Sequence, residues 1–241
     1  MIIHSSLYKQ RIKRILKTVL VDYSLRKKRR YIPLEIELKC DTIIDVGANF
    51  GQYADDKLAL GFKGDIYSIE PLPYAHALLS KASQKYENWH VLKPLALSDR
   101  VASMEINVSE NYASSTIENF TPEHLKIPGV KPLVKQMIDC VPFWKIYEDL
   151  NLDKKERIYF KIDTNGHEPQ VLAGITEECL KNIVAFQIEI PIADMYQNQV
   201  GFDYYYNLMR RWDYILHDAQ EGVRSTTGKN QIMDFIFLKS R

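Results

Sequence analysis

From Lys39 onward the chain alternates short apolar runs with amphipathic ones, and this rhythm limits the folds open to it more than any other feature. Thr42–Val46 predicts a strand and Gln52–Leu60 a helix stopped by Gly61. Asp65–Ile69 predicts the next strand, and Tyr74–Tyr86 a helix led in by Pro71 and Pro73. Trp89–Lys93 follows as a strand, then Ala102–Val108 alternates through Met104, Ile106 and Val108 like an edge strand. Residues 110–150, rich in Ser, Pro and aromatics, read as an irregular insertion with partial helix. Beyond it come a strand at Ile158–Ile162, a helix over Glu168–Ala173 closed by Gly174, and a strand at Val184–Ile190. The helix Asp203–Arg211 and strands near Tyr214–His217 and Met233–Leu238 complete the series. Such alternation predicts one doubly wound α/β domain with a mainly parallel sheet.

In open α/β sheets ligands bind beyond the carboxyl ends of the strands. Four predicted strands end in an acid there: Asp45, Glu70, Asp163 and Glu189. Any one acid would serve as a turn or helix cap. Four on one rim suit a cationic or polyhydroxylated ligand. The stretch from Asp45 to Tyr53 leaves a strand and enters a helix, and its Gly47 and Gly51 allow a tight turn and close backbone approach. Glu70 stands 19 residues after Gly51, the distance at which an acid reaches a ribose hydroxyl pair in nucleotide-binding βαβ units. The spacing is GxxxG rather than GxGxxG. An adenosine ligand without phosphates therefore fits better than a dinucleotide.

These motifs resemble the FkbM family of S-adenosylmethionine-dependent methyltransferases. The resemblance rests on Asp45–Tyr53, Ile69–Pro73, Ala96–Asp99, Ser114-Ser115 and Lys161–Glu168, in that family's order, across about residues 41–190. It implies an α/β fold with a Rossmann-like class I methyltransferase sheet, mainly parallel with a C-terminal antiparallel hairpin. It also implies methylation of a hydroxyl on a sugar, glycan or related natural product. By the same resemblance Asp45, Gly47, Asn49, Gly51 and Tyr53 line the methionine part of the cofactor, Glu70 holds the ribose, and Leu97 and Ser98 lie against the adenine. The chain departs from the family in having Thr164-Asn165 after the central Asp163, and Tyr147–Leu150 where a Leu-Asp-Asp-Leu-like stretch is usual.

A hydroxyl is a poor nucleophile until partly deprotonated, so a general base is expected. Asp163 is the first candidate, with Glu189 and His167 as alternatives. His167 also reads as a turn histidine, and Glu168, ahead of Pro169, as an acid favoured by the helix dipole. Asp163, Asn165 and Glu189 could instead form an oxygen site for a divalent metal. Metal-independent catalysis is the expectation, and turnover lost to a chelator and restored by magnesium would refute it. Tyr204-Tyr205-Tyr206 and residues 110–150 are candidates for an acceptor pocket, although successive helical positions differ by about 100° and three tyrosines cannot face one ligand.

The competing readings are an NAD-dependent oxidoreductase, which the missing middle glycine opposes, and a non-catalytic membrane-associated assembly component. The second draws on residues 1–30, which hold ten basic groups against one acid, a net +9, leaving −8 for residues 31–241. Ile12, Ile15, Leu16, Val19, Leu20 and Tyr23 recur there at helical spacing. The plainer reading is a helix packed on its own domain or on a sister subunit, as in a homo-oligomer. The sharper one is attachment to an anionic membrane surface. A nucleic-acid partner is not favoured, because no stacking aromatics accompany the charge and the body is acidic. Cys40, Cys140 and Cys179 form no CxxC pattern and read as core thiols of a reduced compartment. With no apolar leader and no run near the ~18 residues that span a bilayer, the expected location is the cytoplasm, or its membrane face.

Overall fold

A computed structural model describes residues 32–224 and 228–240. The expected basic amphipathic helix over 1–30 lies outside the described residues. Among the described residues no helix is long and apolar enough to cross a membrane.

The central sheet has seven strands. β1 (Thr42–Val46) and β7 (Ile158–Ile162) lie at its middle, and all five residues of each are buried. Burial on both faces is why these strands read as unbroken apolar runs. β2 (Asp65–Ile69) and β3 (Trp89–Val91) extend the sheet on one side of β1, all parallel. β8 (Ile183–Pro191) runs parallel to β7 on the other side. β10 (Asn230–Lys239) then pairs antiparallel with β8 and with β9 (Tyr214–Arg224), giving the order β3-β2-β1-β7-β8-β10-β9. This is the mainly parallel sheet that the alternation predicts, with the C-terminal antiparallel hairpin that the resemblance implies.

Helices cover both faces. α1 (Leu34–Glu37), α2 (Gln52–Ala59) and α3 (Pro73–Ser83) belong to one side, where Ala54, Leu58 and Leu79 pack with Ile43, Ile66 and Tyr159. α4 (Phe143–Asp149), α5 (Glu168–Ala173), α6 (Glu177–Leu180) and α7 (Phe202–Arg211) belong to the other, where Phe143, Val171, Cys179 and Met209 enclose Ile44, Phe160 and Phe186.

The insertion departs from expectation. Pro132–Val141 is a ten-residue strand, β6, pairing antiparallel with β5 (Ala102–Ser109) and parallel with β4 (Ala96–Leu97). This second sheet closes a third apolar cluster of Leu72, Ala75, Ile106, Ile138 and Cys140 against the body. Only Ile138 and Cys140 of β6 are buried, while Leu133, Val134 and Met137 are 56–60% exposed. The period-two signal that marks a half-buried strand is therefore broken along most of its length. β5 is an edge strand, as its pattern predicts.

Candidate active site

At the carboxyl end of β1 the chain turns through Gly47 (φ +74°) and Asn49 (φ 48°) before Gly51 (φ +86°) opens α2. A Cβ on Gly47 would stand 1.8 Å from the main-chain oxygen of Asp163, so only glycine fits this crossing with the end of β7. The turn is held by backbone bonds: the N–H groups of Gly47 and Ala48 both donate to the Ile69 carbonyl at 3.0 Å. Glu70 completes it, accepting from the Asn49 N–H and the Leu72 N–H at 2.9 Å each. Its carboxyl is buried, and burial pushes its pKa up to about 7 even though the two backbone donors pull the other way.

These elements form one wall of a cleft of about 680 Å³, including its open mouth. That is within the roughly 300–1,000 Å³ of small-molecule sites. Leu72, Leu97, Ile106 and Ile138 make an apolar end, with the last three contributed by the second sheet. Tyr112, Ala113, Ser115 and Ile117 line the rest of it together with Asp163, Thr164, Asn165 and His167.

Behind the cleft lies a residue that the sequence reading passed over. Lys161, 5% exposed, carries its ammonium 3.1 Å from Asp45 and 3.4 Å from Asp163. Burial opposes this charge, but the Asp163 and Asp45 carboxylates outweigh it and hold the lysine pKa above its ordinary value. A charge inside the apolar run Ile158–Ile162 was the available signal, since lysine is almost never buried unpaired. Glu189 adjoins Asp163. Its surface is partly exposed, yet protein surrounds it closely. That burial, followed by the charges of Asp163, Asp234 and Glu168, raises its pKa well above the carboxyl range. These surroundings favour the neutral form of Glu189 beside Asp163.

Of the eight residues expected to contact the cofactor, Gly47, Asn49, Glu70 and Leu97 line the cleft. The others do not. Asp45 is fully buried behind the turn, where it pairs with Lys161 and accepts from the Ser68 hydroxyl at 3.3 Å. Gly51 packs its Cα against Trp89, whose ring a Cβ would meet at 2.6 Å. Tyr53 points to the far side of β1, where its hydroxyl donates to Glu35 at 3.0 Å. Ser98 follows Leu97 and faces the opposite way, bonding His167 Nε2 at 3.0 Å.

Of the three candidates for base, Asp163 and His167 line the cleft and Glu189 stands behind Asp163. His167 is held at both ring nitrogens, by Ser98 and by Glu118 at 3.0 Å from Nδ1. Glu168 is fully buried and accepts from Thr164 and Gly166. It organises the loop after β7, in keeping with its plainer reading. The tyrosine triplet is not in the cleft lining: Tyr205 is buried beneath α7, and Tyr206 is 40% exposed. Among the described residues, no three His, Cys, Asp or Glu gather in a group that could hold a metal.

The methyltransferase FkbM domain model matches residues 45–216. The chain belongs to this family. No curated protein sequence matches it. Solved structures share the fold. Magnesium protoporphyrin IX methyltransferase from Synechocystis PCC 6803, solved with bound S-adenosylmethionine, is 9% identical, with a TM-score of 0.50 over 96% of this chain and 83% of that one. The Methanococcus jannaschii fibrillarin pre-rRNA processing protein is 13% identical, with a TM-score of 0.47 over 83% of this chain and 66% of its own.

An FkbM-family methyltransferase uses S-adenosylmethionine, and the cleft fits that cofactor. Glu70 retains lone pairs for two ribose hydroxyls after accepting its backbone donors. The Asn49 side-chain oxygen is buried without a protein partner at the cleft wall. The dinucleotide reading gives way to this family assignment.

Proposed function

We propose that this methyltransferase acts on a hydroxyl group of a sugar, glycan or related natural product. The observation that carries the reading is Asp163. It stands at the carboxyl end of the strand next to the glycine turn, opens on the cleft, and is flanked by the Lys161 ammonium and the buried Glu189 carboxyl.

S-adenosylmethionine supplies an electrophilic methyl group on a sulfonium sulfur. The chain aligns the two reactants and provides a place for the acceptor proton. Gly47, Asn49 and Glu70 are assigned to hold the donor. Asp163 is assigned to accept the hydroxyl proton, and the Lys161 ammonium, 3.4 Å away, orients its carboxyl group. His167, fixed by Ser98 and Glu118, shapes the acceptor side. No metal is required in this scheme, so activity should persist in a chelator.

The test measures label transferred from methyl-labelled S-adenosylmethionine to a panel of mono- and oligosaccharides. Alkali-stable methyl ethers are expected, with Asp163→Asn lowering kcat at least about 100-fold while leaving S-adenosylhomocysteine affinity within threefold. That size follows the usual contribution of a positioned general base, roughly 10²–10⁴-fold. Label found only in amines, protein or RNA would overturn the acceptor class.

A further inference from the structure

Lys161 makes contacts that no simple ion pair requires. Besides Asp45 and Asp163, its ammonium donates to the carbonyl oxygens of Gly47 at 3.3 Å and Val46 at 3.4 Å. The Val46 oxygen also accepts the Asp163 backbone N–H at 3.1 Å. One buried group thus touches the glycine turn that lines the donor side and the carboxylate that faces the acceptor. Asp45 extends the connection, since Ser68 donates to it and accepts from the Trp89 indole at 2.9 Å. Trp89 is the ring against which Gly51 packs. Both ends of the turn are therefore tied to one chain of polar contacts.

We propose that Lys161 is a positioning residue of the methyltransferase site, setting the Gly47 turn for the cofactor and holding Asp163 in register with it. A lysine has three donors, and four oxygens stand within 3.4 Å of this ammonium. Removing the ammonium leaves two turn carbonyls without their donor and Asp45 buried without its counter-charge. An uncompensated buried carboxylate destabilises strongly, whereas removing both partners of a buried pair is often neutral. That asymmetry separates positioning from stability. It rests on S-adenosylmethionine as donor and not on the acceptor class, so failure of the sugar panel would leave it standing.

The variants are Lys161→Met, Lys161→Met combined with Asp45→Asn, and Lys57→Met. Lys57 stands over the Tyr53 ring at 4.7 Å, as Lys161 does at 5.5 Å, but its partner is Glu35, away from the cleft. The probe is S-adenosylhomocysteine binding by calorimetry at pH 8, alongside melting temperature. Lys161→Met should melt much lower than the wild type, and the double variant should regain most of the loss. Both should bind the probe at least about tenfold more weakly, while Lys57→Met stays within threefold. In the unmutated protein, the Lys161 ammonium resonance of ¹⁵N-lysine-labelled material should move on adding S-adenosylhomocysteine. Double-variant affinity within threefold of wild type would show a purely structural lysine and overturn the proposal. An unmoved Lys161 resonance would do the same if neither variant folds.

Discussion

The two walls of the cleft are built on different principles. The donor wall is made of neighbours: the turn after β1 bonds through its backbone to Ile69 and Glu70 at the end of β2, all between residues 46 and 72. The facing wall joins distant segments through side chains. Thr116 donates to the Asn165 carbonyl at 2.6 Å, the Asn165 amide donates to Ala113 at 2.9 Å, and His167 meets Glu118 at 3.0 Å. Main-chain bonds persist under most substitutions, so the donor wall depends on few side chains. The facing wall can be rebuilt by single changes. A methyltransferase fold can therefore keep one cofactor while its acceptor varies.

The sharpest break is Gly47→Ala. The new Cβ would stand 1.8 Å from the Asp163 oxygen at a residue with φ +74°. The conformation alone costs about 1–3 kcal/mol, and the clash adds to it. S-adenosylhomocysteine affinity should fall at least about 100-fold by calorimetry. Wild-type affinity in this variant would mean that the turn does not approach the cofactor.

Glu70→Gln comes next, and pH sharpens it. Ribose hydroxyls donate to the carboxylate, so binding favours the ionised form. With a folded pKa of about 7, the free protein carries a proton at pH 6 that must leave on binding. Wild-type affinity should therefore tighten about tenfold from pH 6 to pH 8, with proton release detectable in buffers of differing ionisation enthalpy. The glutamine variant should bind about 30-fold more weakly at pH 8 and show little pH dependence, given roughly 1.5–3 kcal/mol for a hydrogen bond to a charged group. A wild-type affinity flat across this range would refute the ribose role. The same raised pKa works against the empty fold: Glu70 contributes stability at low pH that is lost as pH rises from its unfolded value near 4.5 through about 7.

The contrast also explains what could be read from the sequence. The central strands, the glycine turn and Glu70 were legible because burial on both faces and short-range spacing write themselves into adjacent residues. Tyr53 lies on the expected helix and Ser98 directly after β4, a strand that the local pattern does not mark, and neither side chain lines the cleft. Leu97 faces the cleft, and strand alternation then sends Ser98 the other way. Asp45 was expected to meet the cofactor, but it meets Lys161, 116 residues later, at 3.1 Å. β6 was hidden because its pairing with β5 leaves most of its side chains in solvent. For Asp45 and β6 the deciding partner is distant in sequence, and local periodicity carries no record of it.

The smallest expected effect tests the facing wall. Thr116→Val keeps the shape and removes a hydroxyl that donates to the Asn165 carbonyl and accepts from the Glu118 N–H at 2.9 Å. Thr116 is buried, so the partners lose a bond that water replaces poorly. The cost should be about 1–2 kcal/mol, read as a fall in melting temperature. No bond from Thr116 reaches Gly47 or Glu70, so S-adenosylhomocysteine affinity should stay within threefold. Acceptor KM should rise, because Asn165 and Glu118 fix the loop that carries His167. A variant that loses cofactor affinity as much as acceptor affinity would show the two walls to be one cooperative unit, and would overturn the distinction between them.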